Sequence, residues 1–519
     1  MSYKVLITTS GIGSRLGDLT DYTNKALVKV GDKPAIAHII ESYPSDTQFV
    51  ITLGHYGEYV KEFVTIAYPN IGAEFVEVDP YEGPNSSLGY SILQAYENLQ
   101  CPFIFNACDT LFADPSLLYK CAQRPVQNFC IGDRKEDTTQ YSTLLVERNK
   151  VMHIKEKGEI NYDFAYVGIC GIKDYSLFWK HLGKIYAENP NNSGLFDGNV
   201  INRMLPEVDF AFVEHRGWLD VGNVRELEKT RQLFSATANV LEKKGESIYF
   251  FSDHVIKFFA DPEVNKNRVH RAEYLRGLVP RVVTAGNNFY KYEKAVGKLF
   301  SQSVTRSKFS NFLEWAKQNL WIKKECHKFN EICYRFYVDK TFSRIEAFLD
   351  KNADSLDLIN GEEILPIKEL FSKIDLEWLC AGAPSQFHGD FILDNVLETE
   401  SGFCLLDWRQ DFGGNLSTGD VYYDLAKLNH NLIINHEIAN KKMFNSSGDN
   451  CYILCNSKLL ECQKVLRQFI IDNGYDFKKV QVLTAIIWIN MAPLHKYPFN
   501  KFLFNFGKLN LKRALEDVD

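Results

Sequence analysis

No CxxC pair occurs in the 519 residues, no run is dense in Lys and Arg, and no long apolar stretch interrupts the chain. Each absence removes a class of protein. The twelve cysteines, at 101, 108, 121, 130, 170, 326, 333, 380, 404, 451, 455 and 462, stand singly. Cys451, Cys455 and Cys462 lack the second paired spacing of a zinc site, so free thiols in a reducing compartment are expected. A formal net charge of -7 leaves no broad basic footprint for nucleic acid. The start "MSYKVLITTSGIG" has no apolar segment of signal length, and a membrane-spanning helix needs about 18 apolar residues. A soluble, cytoplasmic protein with no membrane or nucleic-acid partner is expected. There is no internal repeat and no low-complexity linker.

What is present is ordinary globular chemistry: 45% hydrophobic and 24% charged residues. The length exceeds one typical core, so two domains are expected, or three. Over the first 230 or so residues short strand-like and helix-like patches alternate: "KVLITTS", "AIAHIIESY", "QFVITLG", "YGEYVKEFV", "AEFVEVD", "SLGYSILQAYENL", "PFIFNACD". That alternation argues for a parallel α/β sheet with helices on both faces, with ligands beyond the carboxyl ends of the strands. The chemistry is then expected just after "LITTS" and just after "FIFNACD".

From about 245 the texture changes. "ESIYFFSDHVIKFFA" reads as a hairpin, "VHRAEYLRGL" as a helix and "NNFYKYEKAVG" as a further strand pair. Beyond 300 the chain reads as mostly helical, interrupted by the strand-like "GFCLLDW". The expected organisation is a first domain at 1–232, a helical joint at 233–245 within the charged stretch 224–245, and a second domain at 246–519. The last divides into a small lobe at about 246–300 and a helical lobe at about 301–519.

In "SGIGSRLGDLTDYTNKALVKVGDKP", Gly11 and Gly13 allow a tight turn whose N–H groups face a phosphate, and Arg15 and Lys25 add positive charge. Alone, such a turn fits a plain strand-to-helix connection equally well. Leu16 replaces the third glycine of a dinucleotide fingerprint, and no Walker A loop is present. Two aspartates keep it company: Asp109 ends "FIFNACD", and Asp220 lies in "GWLDVGN". Asp220 as a helix N-cap and Lys157 of "IKEKG" as a solvated lysine are the plain alternatives.

With "GIGSRL", "NKALVKVGDKP", "SSLGYSIL", "CDTLF", "IKEKG", "YVGICGI" and "WLDVGN" in order, residues 3 to 232 resemble the sugar-1-phosphate nucleotidylyltransferases. The resemblance implies a Rossmann-like, GT-A-like mixed sheet. It implies that Gly11, Gly13 and Arg15 hold a nucleoside triphosphate and that Lys25 neutralises charge near the attacked α-phosphate. Asp109 and Asp220 would bind Mg²⁺, and Lys157 the acceptor phosphate; the family has proline where Gly158 stands. Two anions must meet in this chemistry, and metal plus lysine screens their repulsion.

A second constellation is "FHGDFILDN", residues 387 to 395, whose polar spacing matches neither a period of two nor one of 3.6. It fits H-x-D-x4-N, and "CLLDW" brings Asp407 twelve residues after Asn395. Residues 240 to 430 thereby resemble the aminoglycoside phosphotransferase and choline kinase superfamily, which implies a protein-kinase-like α+β fold. Phosphoryl transfer to a hydroxyl needs a carboxylate at the acceptor and oxygen ligands for Mg²⁺ on the nucleotide. Asp390 would orient the hydroxyl and accept its proton, and Asn395 and Asp407 would bind metal. His388 would brace the loop, with Phe391, Ile392 and Leu393 anchoring it below. Lys257 in "HVIKFF" would hold ATP phosphates, paired with Glu273 in "VHRAEYL", and 290 to 297 would border the adenine. Asp424 is expected to be structural. Only Gly245 stands in the phosphate-covering loop. Trp488, His495 and Tyr497 are candidates for the acceptor pocket or for core.

Together the resemblances imply a bifunctional enzyme. The second domain would phosphorylate a small alcohol with ATP, and the first would join the product to a nucleotide from CTP, UTP or GTP, releasing pyrophosphate. The resemblance further implies that the product serves surface polysaccharide synthesis. "WLDVGN" and "SSLGYSIL" favour a sugar or polyol acceptor over choline, ethanolamine or another amino alcohol. The remaining alternative is a non-catalytic regulator descended from such enzymes, which retention of every metal-ligand position disfavours.

Overall fold

The computed structural model describes residues 3–516 apart from 117, 119–126, 136, 159–163, 235–242 and 355–357. By contacts the chain divides into two compact units, Met1–Pro262 with Val283–Tyr292, and Glu263–Val282 with Glu293–Asp519.

The first unit is built on nine strands: β1 (Lys4–Thr8), β2 (Gln48–Leu53), β3 (Gly72–Glu77), β4 (Phe103–Ala107), β5 (Phe129–Asp133), β6 (Thr143–Glu147), β7 (Lys150–Lys155), β8 (Phe164–Ile172) and β9 (Ala211–Glu214). They form one sheet in the order β3-β2-β1-β4-β8-β5-β9-β7-β6. The parallel arrangement expected from strand–helix alternation holds for β3, β2, β1 and β4; β8 then runs antiparallel to both β4 and β5, so the sheet is mixed. Val5, Leu6 and Ile7 of β1 can be apolar in succession because both faces of the strand are covered. Val5 and Ile7 enter one core with Val60, Phe63 and Val64 of α1 (Gly57–Ala67). Leu6 enters the other, with Ile92 of α2 (Leu88–Gln94) and Phe178, Trp179 and Leu182 of α3 (Tyr175–Glu188). A period of two thus divides one strand between two cores. The register of β1 on β4 places Thr8 opposite Ala107, so the Gly11 turn and Asp109 emerge side by side.

A second sheet belongs to this unit: β10 (Glu246–Phe250), β11 (His254–Phe259), β12 (Val282–Ala285) and β13 (Phe289–Glu293), in the order β10-β11-β13-β12. Tyr249, Ile256, Phe258 and Phe289 share the α1 core. The Tyr249 hydroxyl donates to the Leu27 carbonyl at 2.7 Å, and Glu62 accepts the N–H groups of Asn288 and Phe289 at 2.9 Å. The hairpin read from the sequence is present, and its apolar face packs within the first unit. The charged stretch 224–245 forms α4 (Val224–Leu233); most of the expected joint, 235–242, lies outside the described residues.

The second unit is mostly helical: α5 (Pro262–Tyr274), α6 (Arg306–Asn319), α7 (Lys340–Leu349), α8 (Val421–Ile433), α9 (Ser457–Asp472), α10 (Phe477–Met491) and α11 (Phe499–Leu515). α10 is apolar nearly all round and buried, the pattern of a central helix. Asp420 caps α8 by accepting the Tyr422 N–H. A small sheet of β14 (Lys298–Leu299), β15 (Val396–Thr399) and β16 (Gly402–Leu405) supplies the strand read in "GFCLLDW". Among the described residues no helix is long and apolar enough to cross a membrane, and the eleven described cysteines are free.

Candidate active sites

At the first site the sheet brings six sequence-predicted residues together: Gly11, Gly13, Arg15, Lys25, Asp109 and Asp220. Oδ2 of Asp109 lies 3.9 Å from Lys25 Nζ and 3.8 Å from the Arg15 guanidinium. Val221 donates its N–H to the Asp109 carbonyl at 3.0 Å, which locks "WLDVGN" against the end of β4. Asp220 follows, and its carboxylate accepts the N–H of Gly222 at 2.7 Å, the hydroxyl of Tyr141 at 3.0 Å and the amide of Asn223 at 3.2 Å. The N-cap of α4 is Asn223, so Asp220 is left for other work. Gly13 takes a left-handed backbone, φ 74°, and a Cβ there would lie 2.9 Å from Lys25 Cβ; the turn is built around the lysine stem. Gly11 lies against the same lysine, its Cβ position 3.9 Å from Nζ.

Electrostatics match this placement. Burial and the Asp109 charge push the Asp220 carboxyl upward. Cys108 and Asp109 raise the Lys25 ammonium, while burial takes the Cys108 thiol to about 11. Desolvation and Arg15 lower the Lys157 ammonium, with Asp109 and Asp220 pulling the other way, which sets Lys157 among the same charges. Tyr141, Cys108 and Asn223 were not read from the sequence; a tyrosine aimed at a carboxylate 79 positions away leaves no periodic signal.

Two carboxylates that converge and repel call for a cation. A Cβ built on Gly222 would stand 2.8 Å from Asp109 Oδ2, 3.0 Å from Asp220 Oδ1 and 3.1 Å from the Arg15 guanidinium, so this glycine leaves open a cradle between the oxygens. Among the described residues no three His, Cys, Asp or Glu side chains are placed to hold one metal. Two carboxylates with the remaining positions left to phosphate and water suit Mg²⁺, which is held that way more often than by a full protein cage.

At the second site the loop 387–395 is fixed from below and behind. Phe387 and Phe391 are fully buried, with Leu393 2% and Ile392 7% exposed; each buried ring contributes about 2–3 kcal/mol. Asp424 accepts the N–H groups of His388 at 2.8 Å and Gly389 at 2.7 Å and the Trp321 indole at 3.2 Å; burial raises its own pKa to about 6. His388 bridges the loop to β16: Nε2 bonds the Leu406 carbonyl at 2.9 Å, and Nδ1 accepts the Asp390 N–H at 3.2 Å. That pattern needs a neutral ring protonated on Nε2, and burial lowers its pKa to about 4. The spacing of "HGDFILDN" is thus a three-dimensional one: backbone braces, buried anchors and two groups left at the surface of the loop.

Those two are joined. Nδ2 of Asn395 donates to the Asp390 carbonyl at 3.0 Å and to Oδ2 at 3.1 Å. Pairing of β15 with β16 sets the Leu406 N–H on the Asn395 carbonyl at 2.7 Å, which puts Asp407 next to them. Asp407 has φ 53°, a left-handed conformation uncommon outside glycine, and its Oδ1 is ion-paired with Arg268 of α5. Trp408, 1% exposed, donates to the Arg268 carbonyl at 2.8 Å. An amide and a carboxylate side by side form a donor set that Mg²⁺ accepts alongside polyphosphate oxygens.

Some expectations change. Glu273 projects into solvent from α5 and has no ion pair among the described residues; the same helix turns Arg268 and Arg271 inward. Lys257 is 6% exposed on β11. Trp488 is core on α10, 1% exposed, whereas Tyr497 is 75% exposed. Lys427 and Arg409, both beside the loop, were not anticipated: Lys427 Nζ lies 2.7 Å from Asp390 Oδ1. It sits three residues after Asp424, and that spacing was the available signal.

Comparison with known proteins bears on the first unit. Residues 5–148 are a MobA-like NTP transferase domain. Over 111 residues the chain is 32% identical to a choline-phosphate cytidylyltransferase of Streptococcus pneumoniae, a match covering 21% of this chain and 46% of that protein. The chain therefore spans about half the length of this curated relative. Among solved structures, a CTP:phosphocholine cytidylyltransferase from Streptococcus pneumoniae aligns over 45% of this chain and 99% of its own at 20% identity, TM-score 0.39. An inositol-1-phosphate CTP transferase from T. maritima aligns over 45% and 94% at 16% identity, TM-score 0.37.

Proposed function

We propose that the first unit transfers a cytidylyl group from CTP to a phosphorylated small alcohol, and that the second unit makes that phosphorylated alcohol with ATP. The observation that carries the first half is the convergence of Asp109 and Asp220 over Gly222, inside a chain whose residues 5–148 are an NTP transferase domain. CTP is favoured over UTP and GTP by the 32% identity to a cytidylyltransferase.

In the first reaction a phosphate oxygen of the acceptor attacks the α-phosphorus of the nucleotide, and the bond to the bridging oxygen breaks as pyrophosphate leaves. The N–H groups of the Gly11–Gly13 turn cradle the triphosphate. Lys25 and Arg15 set positive charge where the attacked phosphate gathers negative charge, and Lys157 holds the incoming phosphate. Asp109 and Asp220 would hold Mg²⁺, which when bound supplies charge screening between the two anions.

In the second reaction the acceptor hydroxyl gives its proton to Asp390 as its oxygen bonds to the γ-phosphorus, and ADP departs. Asn395 and Asp407 would hold the metal on the nucleotide. The loop arrangement around Asp390 supports this reading: every brace is spent on the backbone, which leaves its carboxylate aimed by Asn395 and Lys427.

The test supplies the full chain and Mg²⁺ with each of CTP, UTP, GTP and ATP, against choline phosphate, sugar 1-phosphates and polyol phosphates, reading pyrophosphate. Release with CTP at least tenfold above the other nucleotides supports the proposal. Preference for UTP or GTP overturns the cytidylyl assignment, and no release with any pair overturns nucleotidyl transfer.

A further inference from the structure

Four cations form a group that reaches Asp390 through Lys427 within the second unit: Lys427, Arg409, Lys340 and Arg344 lie in one another's fields. Lys427 is matched by Asp390 itself at 2.7 Å. The others are not matched. Among the described residues the side chains of Lys340 and Arg344 have no hydrogen-bond or ion-pair partner, and Arg409 has no ion pair, its Nε going to the Asp411 carbonyl at 3.1 Å. Lys340 Nζ and the Arg409 guanidinium share the Phe336 ring, 4.2 and 5.0 Å from its centroid. Arg344 follows Lys340 by four positions on α7, so the two project from one face.

Burial and the charges of Arg409, Arg344 and Lys427, in that order, hold the Lys340 ammonium well down, and Asp411 opposes them. Even with Lys340 neutral, Lys427, Arg409 and Arg344 against the carboxylates of Asp390 and Asp411 leave one positive charge of this group uncompensated. A fold does not gather like charges in a half-buried place for its own stability.

The framework is built, not incidental. The residues before α7, Arg335–Asp339, form a π-helical turn, an irregularity frequent at functional sites, and Lys340 is the first residue after it. Arg409 is pinned through its backbone: its N–H reaches the His388 carbonyl at 3.0 Å, and its carbonyl accepts from Arg271 at 2.8 Å. The two oxygens of Asp390 also divide the surroundings. Asn395, the proposed metal ligand, contacts Oδ2, whereas Lys427, at the edge of the cationic group, contacts Oδ1. The cationic group thus meets Asp390 through Oδ1, the oxygen that Asn395 does not hold.

We propose that the alcohol phosphorylated in this unit carries an anionic group of its own, a carboxylate or a phospho group, bound by Lys340, Arg344 and Arg409 while its hydroxyl meets Asp390. The proposal rests on the phosphotransfer reading above and narrows it: choline and ethanolamine would bring a cation against uncompensated positive charge, and neutral sugars would leave that charge unanswered.

The experiment gives the full chain ATP and Mg²⁺ with D-glycerate and gluconate, with glycerol 3-phosphate and 2-hydroxyethylphosphonate, with sorbitol and glucose, and with choline and ethanolamine. ADP release and acceptor mass are read. Expected is kcat/KM at least tenfold higher for one anionic pair than for the neutral and cationic compounds; which pair responds separates carboxylate from phospho group. Lys340→Met and Arg344→Met each raise KM for that acceptor at least tenfold and leave KM for ATP within about threefold. Preference for a neutral or cationic alcohol overturns the proposal, as does an effect of the variants on ATP instead. Should no alcohol be phosphorylated, amine labelling of Lys340 decides. Protection by D-glycerate or glycerol 3-phosphate without turnover keeps the anion site and removes the phosphotransfer reading; no protection by either removes the anion site.

Discussion

Nζ of Lys427 lies 2.7 Å from one oxygen of Asp390, and Nδ2 of Asn395 lies 3.1 Å from the other. Both carboxylate oxygens are thus held, and the group can present only one face to a hydroxyl. Burial alone would lower the Lys427 ammonium, but the charge and hydrogen bond of Asp390, with Tyr423, together outweigh it and the net shift is upward, so the lysine stays charged at neutral pH. Lys427→Met should lower phosphotransfer kcat roughly 10²-fold, the scale of one lost preorganised charge contact. Lys427→Arg should recover most of it. Unchanged ADP release in Lys427→Met would show that Asp390 needs no such positioning.

Asp220 should trade stability for function. Folding raises its pKa through burial and Asp109, so the folded chain favours its protonated form. That contribution is complete below the unfolded carboxyl pKa, about 4, and is lost as pH rises through the folded value. At pH 7 without divalent metal, Asp220→Asn should therefore melt higher than the wild type. Mg²⁺ should raise the wild-type Tm and leave the variant nearly unmoved. Nucleotidyl transfer should fall roughly 10²–10³-fold. A lower Tm at pH 7 would contradict the repulsion described for the pair.

Gly222→Ala tests the cradle by filling it. The added Cβ would fall 2.8 Å from Asp109 Oδ2 and 3.0 Å from Asp220 Oδ1, closer than side chains tolerate. Pyrophosphate release should drop by roughly 10²-fold or more at saturating CTP, a site displaced by even a fraction of an ångström being enough. ADP release from the second unit should be unaffected. Loss of both would point to misfolding instead.

His388 makes a pH prediction of opposite sign. Its folded pKa, about 4, lies below the unfolded value of about 6.5, so its contribution is present above pH 6.5 and is lost as pH falls toward 4. Urea titrations followed by tryptophan fluorescence should show the wild type weakening over that range. His388→Asn, with one hydrogen bond lost, should cost about 1–3 kcal/mol at pH 7.5 and show a flatter acid dependence. Equal slopes would remove His388 as the titrating brace.

The sequence carried the local patterns well and the long-range ones poorly. β1, β2, β4 and the first helices follow from apolar runs and periodicity, because both faces of those strands are covered. The glycine turn with Asp109 and the H-x-D-x4-N loop were legible because each chemistry compresses its groups into one segment. The antiparallel turn of β8 was not, since an apolar strand of nine residues reads alike in either direction. Nor was the packing of the 246–293 sheet within the first unit, which depends on Phe63 and Leu27, remote in the chain. Glu273 stands out in the sequence by its position on a helix, but α5 turns arginines inward and leaves that glutamate to solvent. The cations around Asp390 come from 340, 344, 409 and 427, and no window of sequence contains them.

The most direct test separates the two chemistries by one atom each. Asp390→Asn and Asp109→Asn are assayed in the full chain for ADP release from ATP and an alcohol, and for pyrophosphate release from CTP and a supplied phosphorylated acceptor. The account predicts that Asp390→Asn loses the first and keeps the second, and that Asp109→Asn does the reverse. Loss of both activities in either variant, or survival of the activity whose aspartate was replaced, would contradict it.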